Sequence, residues 1–404
     1  MSRRLLAALS GGGLIALALT GCVPNTPTDD AAALSVSITD DTCAVSADAA
    51  SAGAVTFTLS NEGTDVNEFE ILAEDKLRIV GEKENVAPGQ TVGYVAQLPA
   101  GTYFTACKFQ QVGAPVGLAE FTVSGESAAI SDDEQELTDA AVTNYVAYIR
   151  SQVGELIPAV QSFTDAYAAG DDDLARSLFA STRVFYERVE PTAEAFGDLD
   201  PKIDFREVDA VADGLDWTGF HRIEKDLWPP APGALNSDGS DATVDWAPST
   251  AEQRTAFADG LVADVAELHD LVTDDAFTVS LGDISNGAIA LLDEVASGKI
   301  TGEEDWWSGT DLTDFAANVQ GAKVAFGNVE DIAIAHGEDG AALVDDITTQ
   351  FAALETLLAE YGSIEDGFVA YGELDDGDKK ELSDAVNALA EPLSRLTSTV
   401  LGVS

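Results

Sequence analysis

The hydrophobic pattern of this chain changes period once, and that change divides what it can fold into. From Leu34 to Val123 apolar and polar residues alternate, as in Leu34-Ser-Val-Ser-Ile38, Val55-Thr-Phe-Thr-Leu59, Thr91-Val-Gly-Tyr-Val95 and Tyr103-Phe-Thr-Ala-Cys107. Phe69-Glu-Ile71 and Ala119-Glu-Phe-Thr-Val123 add two more runs, with Asn61-Glu62-Gly63, Pro88-Gly89 and Pro99-Ala100-Gly101 as turns between runs. Alternation gives each strand one apolar face, so short strands at this spacing predict a β-sandwich over residues 34–124. Residues 125–136 are polar and acidic and read as a linker. From Leu137 the apolar positions recur every three or four residues, beginning Leu137, Ala141, Tyr145, Tyr148, which predicts an all-α helical-bundle domain over residues 137–404. Further helices are expected over Leu174–Glu190, Phe205–Leu227, Ala251–Val272, Ser285–Ser297, Leu312–Asn328, Leu343–Tyr361 and Lys379–Leu401.

Residues 1–21 read as an export signal. Arg3 and Arg4 precede the apolar stretch Leu5 to Thr20, which is shorter than a spanning helix needs and holds three glycines in its middle. The following Leu19-Thr20-Gly21-Cys22 resembles a bacterial lipobox, in which cleavage leaves a lipidated cysteine, here Cys22. Residues 22–33, with Pro, Thr and Asp, then form a tether that holds an otherwise soluble protein at the membrane surface. Charge narrows the partners. With 20 basic and 72 acidic residues the net charge is −52, which repels nucleic-acid phosphates and anionic headgroups and gathers cations, so no nucleic-acid partner is expected.

The strongest local motif is Trp217-Thr-Gly-Phe-His221-Arg-Ile-Glu224-Lys-Asp-Leu-Trp228. On a helix, His221 and Glu224 share a face, so an imidazole nitrogen and a carboxylate can converge on one cation, with Trp217 and Trp228 as aromatic walls. The same pattern also suits a surface histidine paired with Glu224. Arg183 and Glu187 are spaced as an i,i+4 ion pair; either this is an exposed salt-bridged helix, or Glu190, next to Pro191, turns inward as a ligand. His269 and His336 lie among acids without aromatic walls and are expected in solvent.

In the sandwich, Cys43 follows the first strand and Cys107 ends a later one, 64 positions on, so the two are expected close together. In an exported protein a disulfide is the default; paired thiolates are the other reading. No histidine precedes His221, so a blue-copper site is excluded from this domain. Glu68, Glu70, Glu82 and Glu84 remain as hard oxygen donors. The chain has no HExxH, no phosphate-binding glycine loop and no GxSxG elbow. A zinc-dependent peptidase would want three protein ligands, an open position and a base, and His221 has no second histidine near it in sequence.

Taken in order, VNEFEIL (66–72), GEKENVAPG (81–89), LPAGTYFTAC (98–107), RVFYERVEPTAEAFGDLDPKID (183–204), GFHRIEKDLW (219–228), ALLDEVASGKITGEED (290–305) and TDLTDFAANVQGAK (310–323) resemble the EfeO-type iron-uptake lipoproteins of bacteria. That family joins a cupredoxin-like sandwich to an imelysin domain, also catalogued as a metallopeptidase. The resemblance implies iron, ferrous or ferric, held at His221 and Glu224 with nearby carboxylates, Asp259 among them; Glu190 is a further candidate from its own spacing, and copper or zinc are other ions. The resemblance implies a second site near Cys43, Glu68 and Cys107. It also implies a location at the extracytoplasmic face of the membrane, with a membrane iron permease and a haem peroxidase as partners, and no catalysis; the alternative is an imelysin-type zinc metallopeptidase. A third reading is an acidic surface lipoprotein without metal. Two departures from the family stand out: Trp306-Trp307-Ser308-Gly309 follows the GEED run, and Gln320 takes the place of an acid in NVQG. The insert between Pro229 and Pro248 is also long.

Overall fold

The computed structural model describes residues 33–110, 113–244, 246–297 and 299–403. The export signal and Cys22 lie outside the described residues. The sandwich consists of β1 (Leu34–Ile38), β2 (Cys43–Val45), β3 (Ala49–Ser51), β4 (Gly53–Asn61), β5 (Asn67–Leu72), β6 (Ile79–Val86), β7 (Thr91–Leu98), β8 (Gly101–Phe109) and β9 (Val116–Ser124). One sheet has the order β2-β1-β4-β7 and the other β3-β9-β8-β5-β6. The alternating residues close the core between them: Phe57 of the first sheet meets Phe69 and Phe121 of the second at ring separations of 5.2 and 6.0 Å. Burying each such side chain contributes about 1.5–3 kcal/mol.

Sequence alternation missed β2, β3 and β6. The first two are three residues long. Strand β6 shows no alternation because it is half-buried along nearly its whole length, and with β7 it packs on a helix of the second domain. Cys43 and Cys107 form a disulfide with Cα atoms 5.5 Å apart. It ties β2 of one sheet to β8 of the other, and both sulfurs are thereby lost as thiolate ligands, which corrects their assignment to a metal site.

The helical region contains α1 (Asp132–Ala169), α2 (Asp172–Glu187), α3 (Asp200–Ile203), α4 (Glu207–Asp213), α5 (Gly219–Leu227), α6 (Ala251–Thr273), α7 (Leu281–Ser297), α8 (Asp311–Ala335), α9 (Glu338–Leu358), α10 (Asp376–Leu393) and α11 (Leu396–Val400). Helix α1 starts inside the stretch read as linker. Ser131 caps it, its hydroxyl accepting from the Glu134 N–H at 3.3 Å, and Asp132, Asp133 and Glu134 sit at the positive end of the helix dipole. The single helix expected over Phe205–Leu227 is two. Gly214, at φ 70°, ends α4 in the left-handed conformation, and a short turn carrying Trp217 and Thr218 leads into α5. The last expected helix also divides, into α10 and α11.

Helix α8 is the axis of this region, packed by α1, α2, α7 and α9. The two domains meet where β6 and β7 pack on α7. Asn286 donates to the Val95 carbonyl at 2.9 Å, and the Gly282 N–H donates to Gln97 at 3.2 Å. No described helix is long and apolar enough to cross a membrane.

Closing the 64-residue loop between the cysteines contributes about 4 kcal/mol in the chain-entropy model. Reducing the protein, or replacing Cys107 with alanine, is expected to lower stability by about that amount in a urea titration. Under denaturing, non-reducing conditions, thiol labelling of the chain from residue 33 onward should find no reactive thiol.

Candidate metal centre

Helix α5 carries the site, and Gly219 sets where it begins. Its φ is +77°, and a β-carbon there would stand 2.1 Å from the Ile203 carbonyl oxygen, so only glycine lets α5 approach the end of α3 this closely. Thr218 fixes the same approach by donating to the Lys202 carbonyl at 2.9 Å. Two residues later His221 points inward and is almost fully buried.

His221 Nδ1 lies 3.0 Å from Glu224 Oε2 and 3.9 Å from Asp305 Oδ1; its Nε2 lies 3.2 Å from Glu304 Oε1 and 3.5 Å from Asp204 Oδ1. Beside it is Arg183, fully buried over the rings of Phe179 and Phe220. Its guanidinium meets Glu187, Asp204, Glu304 at 3.6 Å, Asp305 at 3.5 Å and Asp314 at 3.0 Å. The Arg183–Glu187 pair read from the sequence is therefore present, but in the core and not on an exposed helix.

Two cationic side chains thus face six carboxyl groups: Glu187, Asp204, Glu224, Glu304, Asp305 and Asp314. Burying that much negative charge is costly, and burial raises both Asp204 and Asp305 from the usual carboxylate range. Burial, then repulsion from Glu224 and Asp311, hold the Asp305 carboxyl well above the usual range against the pull of Arg183. Burial is also the main reason that Asp311 is pushed up to about 7. Burial and the Arg183 charge both oppose a proton on His221; hydrogen bonds to Glu224 and Glu304, with Asp204, override them and raise it to about 10. Protons occupy positions that a metal ion could take. Asp305 Oδ1 and Asp311 Oδ2 are buried yet accept no hydrogen bond. The set of one imidazole and several carboxylates suits iron, zinc or copper.

Three overlapping groups have ligand atoms within 4.8 Å of one another: His221, Glu224 and Asp305; Asp204, His221 and Glu304; and Glu187, Glu190 and Asp204. Glu190 thus reaches Asp204 and not His221, and Asn318 donates to it at 2.7 Å. Asp259 is exposed on α6 and stands outside these groups. Ala258, Leu261 and Val265 are the buried face of that helix, and the next position along faces solvent. Sequence reasoning missed Asp204, Glu304, Asp305, Asp311 and Asp314. A signal for the last two was available: Asp311, Asp314 and Asn318 recur at helical spacing on one face of α8, among Leu312, Phe315 and Val319, and all three are buried.

Trp217, Trp306 and Trp307 line a small pocket of about 20 Å³ over His221 and Glu224. Trp228, expected there, packs instead on Phe179 at 5.5 Å. Glu303 and Glu304 also border a larger cleft against the sandwich, whose other wall includes Glu68, Glu82 and Glu84. These three carboxylates form a further group within 4.8 Å. Burial, then repulsion from Glu82, raise Glu68 well above its usual range. In the β5–β8 register Phe69 pairs with Cys107 and Glu68 with Lys108, so Cys107 faces the core while Glu68 faces the cleft. A shared cysteine and Glu68 site is not formed. His336 is exposed, as expected, whereas His269 is half-buried.

The imelysin family model matches residues 141–396, and a cupredoxin-like domain model matches residues 13–117. The iron uptake system component EfeO of Escherichia coli O157:H7 is 35% identical over 378 residues, 93% of this chain and 92% of that protein. The chain belongs to the imelysin family, in its EfeO-type form. The same component from E. coli K12 and from Shigella flexneri is 34% identical over the same shares of each chain. In this EfeO-type chain the departures have structural roles. Gln320 accepts from Arg188 at 2.7 and 3.0 Å, away from His221. The loop after the GEED run supplies the backbone N–H groups of Trp307 and Ser308, which donate to Glu224 Oε1 at 3.0 and 2.8 Å.

Replacing Arg183 with methionine leaves buried carboxylates without their cation. We expect a loss of about 3–5 kcal/mol in the metal-free protein, measured by urea unfolding with chelator present.

Proposed function

We propose that this protein captures iron outside the cytoplasm and passes it to a membrane iron permease. The observation that carries the reading is the convergence of Glu224, Asp305, Glu304 and Asp204 on the buried His221. Iron is the cargo: His221 and Glu224 hold it, with Asp305, Asp204 and Glu304 completing the oxygen donors, and Glu190 stands beside them at Asp204. The relatives named as iron uptake system components support iron over other ions. The cleft is the entry route in this reading, with Glu68, Glu82 and Glu84 as a second place for a cation. A net charge of −52 draws cations toward it. Lipid on Cys22 keeps the protein at the membrane, where the permease and a haem peroxidase of the same uptake system are its partners.

Calorimetric titration with ferrous ion under anaerobic conditions, and with ferric, cupric and zinc ions, tests the site. His221→Ala should bind more than about tenfold more weakly than wild type; equal affinities would remove His221 from the account. The second reading, a zinc metallopeptidase, is favoured by the peptidase designation of the family model. A single imidazole, and a Glu224 already held by two backbone N–H groups, give little for a water-activating zinc site. The zinc-loaded protein is expected to leave peptides uncut, and cleavage lost in Glu224→Ala would reverse the ranking.

A further inference from the structure

Lys225, next to Glu224 on α5, is fully buried and takes no part in the proposed metal shell. Burying an ammonium is costly unless its surroundings use it. Its Nζ pairs with Glu207 of α4 and lies 3.4 Å from Asn236 of the long insert. It also sits over two indoles, 5.6 Å from the ring of Trp217 and 5.0 Å from that of Trp307. One cation therefore joins α4, α5, the insert and the loop after Asp305. The insert and that loop meet a second time, where Trp306 Nε1 donates to the Leu235 carbonyl at 2.8 Å.

The loop matters because of what its backbone does. Trp307 and Ser308 direct two N–H groups at Glu224 Oε1, while His221 takes Oε2. The carboxylate has its rotation fixed by groups whose own position depends on where the Trp307 ring is held. Groups behind a metal ligand commonly set affinity in this way, and losing one typically costs about 10–100-fold.

We propose that Lys225 is the positioning residue of the metal centre: by cation–π contact it pins Trp307, and with it the loop whose N–H groups orient Glu224. The inference rests on the reading of His221 and Glu224 as ligands. The two features that set this chain apart in sequence, the Trp306-Trp307 pair and the long insert, become one clamp built around Lys225.

The test uses the full chain with cupric ion as probe, read by calorimetric titration and by electron paramagnetic resonance of the copper-loaded protein. Lys225→Met keeps the apolar stem and removes the charge. It is expected to bind about 10–100-fold more weakly and to give a copper spectrum shifted from wild type toward that of Glu224→Ala. Unchanged affinity overturns the proposal; so does weaker binding with the wild-type spectrum, which would mean a purely structural role. If circular dichroism shows Lys225→Met unfolded, Trp307→Leu is read by the same two criteria, since it removes the ring and keeps the backbone N–H. Wild type and Glu224→Ala binding copper alike, with one spectrum, would instead sink the underlying site reading.

Discussion

A guanidinium with no access to water holds the helical domain together around its charged centre. Arg183 lies on α2, and its carboxylate partners come from α2 itself, the end of α3, the loop before α8, and α8. Those segments are far apart in sequence and share no apolar stripe that would bring them to one point. The phenyl rings of Phe179 and Phe220 close over the cation and exclude the water that would otherwise screen it. In a medium of lower dielectric each pairing is stronger, and each unpaired charge more costly. The arrangement is thus specific as well as stabilising, because few other packings satisfy so many buried carboxylates with one cation.

Even with His221 beside it, Arg183 does not match all of them in charge, and that imbalance connects structure to the proposed activity. A site built only for stability would match charges, or replace them with apolar side chains. This one retains carboxyl groups whose affinity for a proton is raised by burial, and oxygens that accept no hydrogen bond. The acidic cleft between the domains continues the same sign of charge outward. Surface charges act only over about 8 Å at physiological salt, so the carboxylates that outnumber Lys76, Lys108 and Arg206 along the cleft, and not net charge alone, are what can guide an ion inward.

The sandwich contributes in a different manner. Its disulfide lies across the core and joins the two sheets, while the opposite face of the β5–β8 pair presents Glu68 and Lys108 to the cleft. The period of two keeps these roles apart: neighbours in sequence, Cys107 and Lys108, serve opposite sides of one sheet. Strands β6 and β7 dock on α7, making the sandwich a wall of the cleft as well as a separate fold.

The two architectures and most of their elements were legible in sequence, because alternation and helical recurrence are local consequences of one-sided burial. The pairing of His221 with Glu224 and of Arg183 with Glu187 was legible too, since residues three and four apart share a helix face. Beyond one helix the local signal ends. Asp204, Glu304 and Asp305 read as ordinary members of an acidic surface, and only the packing of α3, α5 and α8 places them around one imidazole. Asp259 was expected from family resemblance, and its helix turns it to solvent. The sequence by itself determined which faces are apolar and which residue types can bind a cation. The tertiary structure decided which carboxylates are buried together, because that depends on contacts between segments that no periodicity relates.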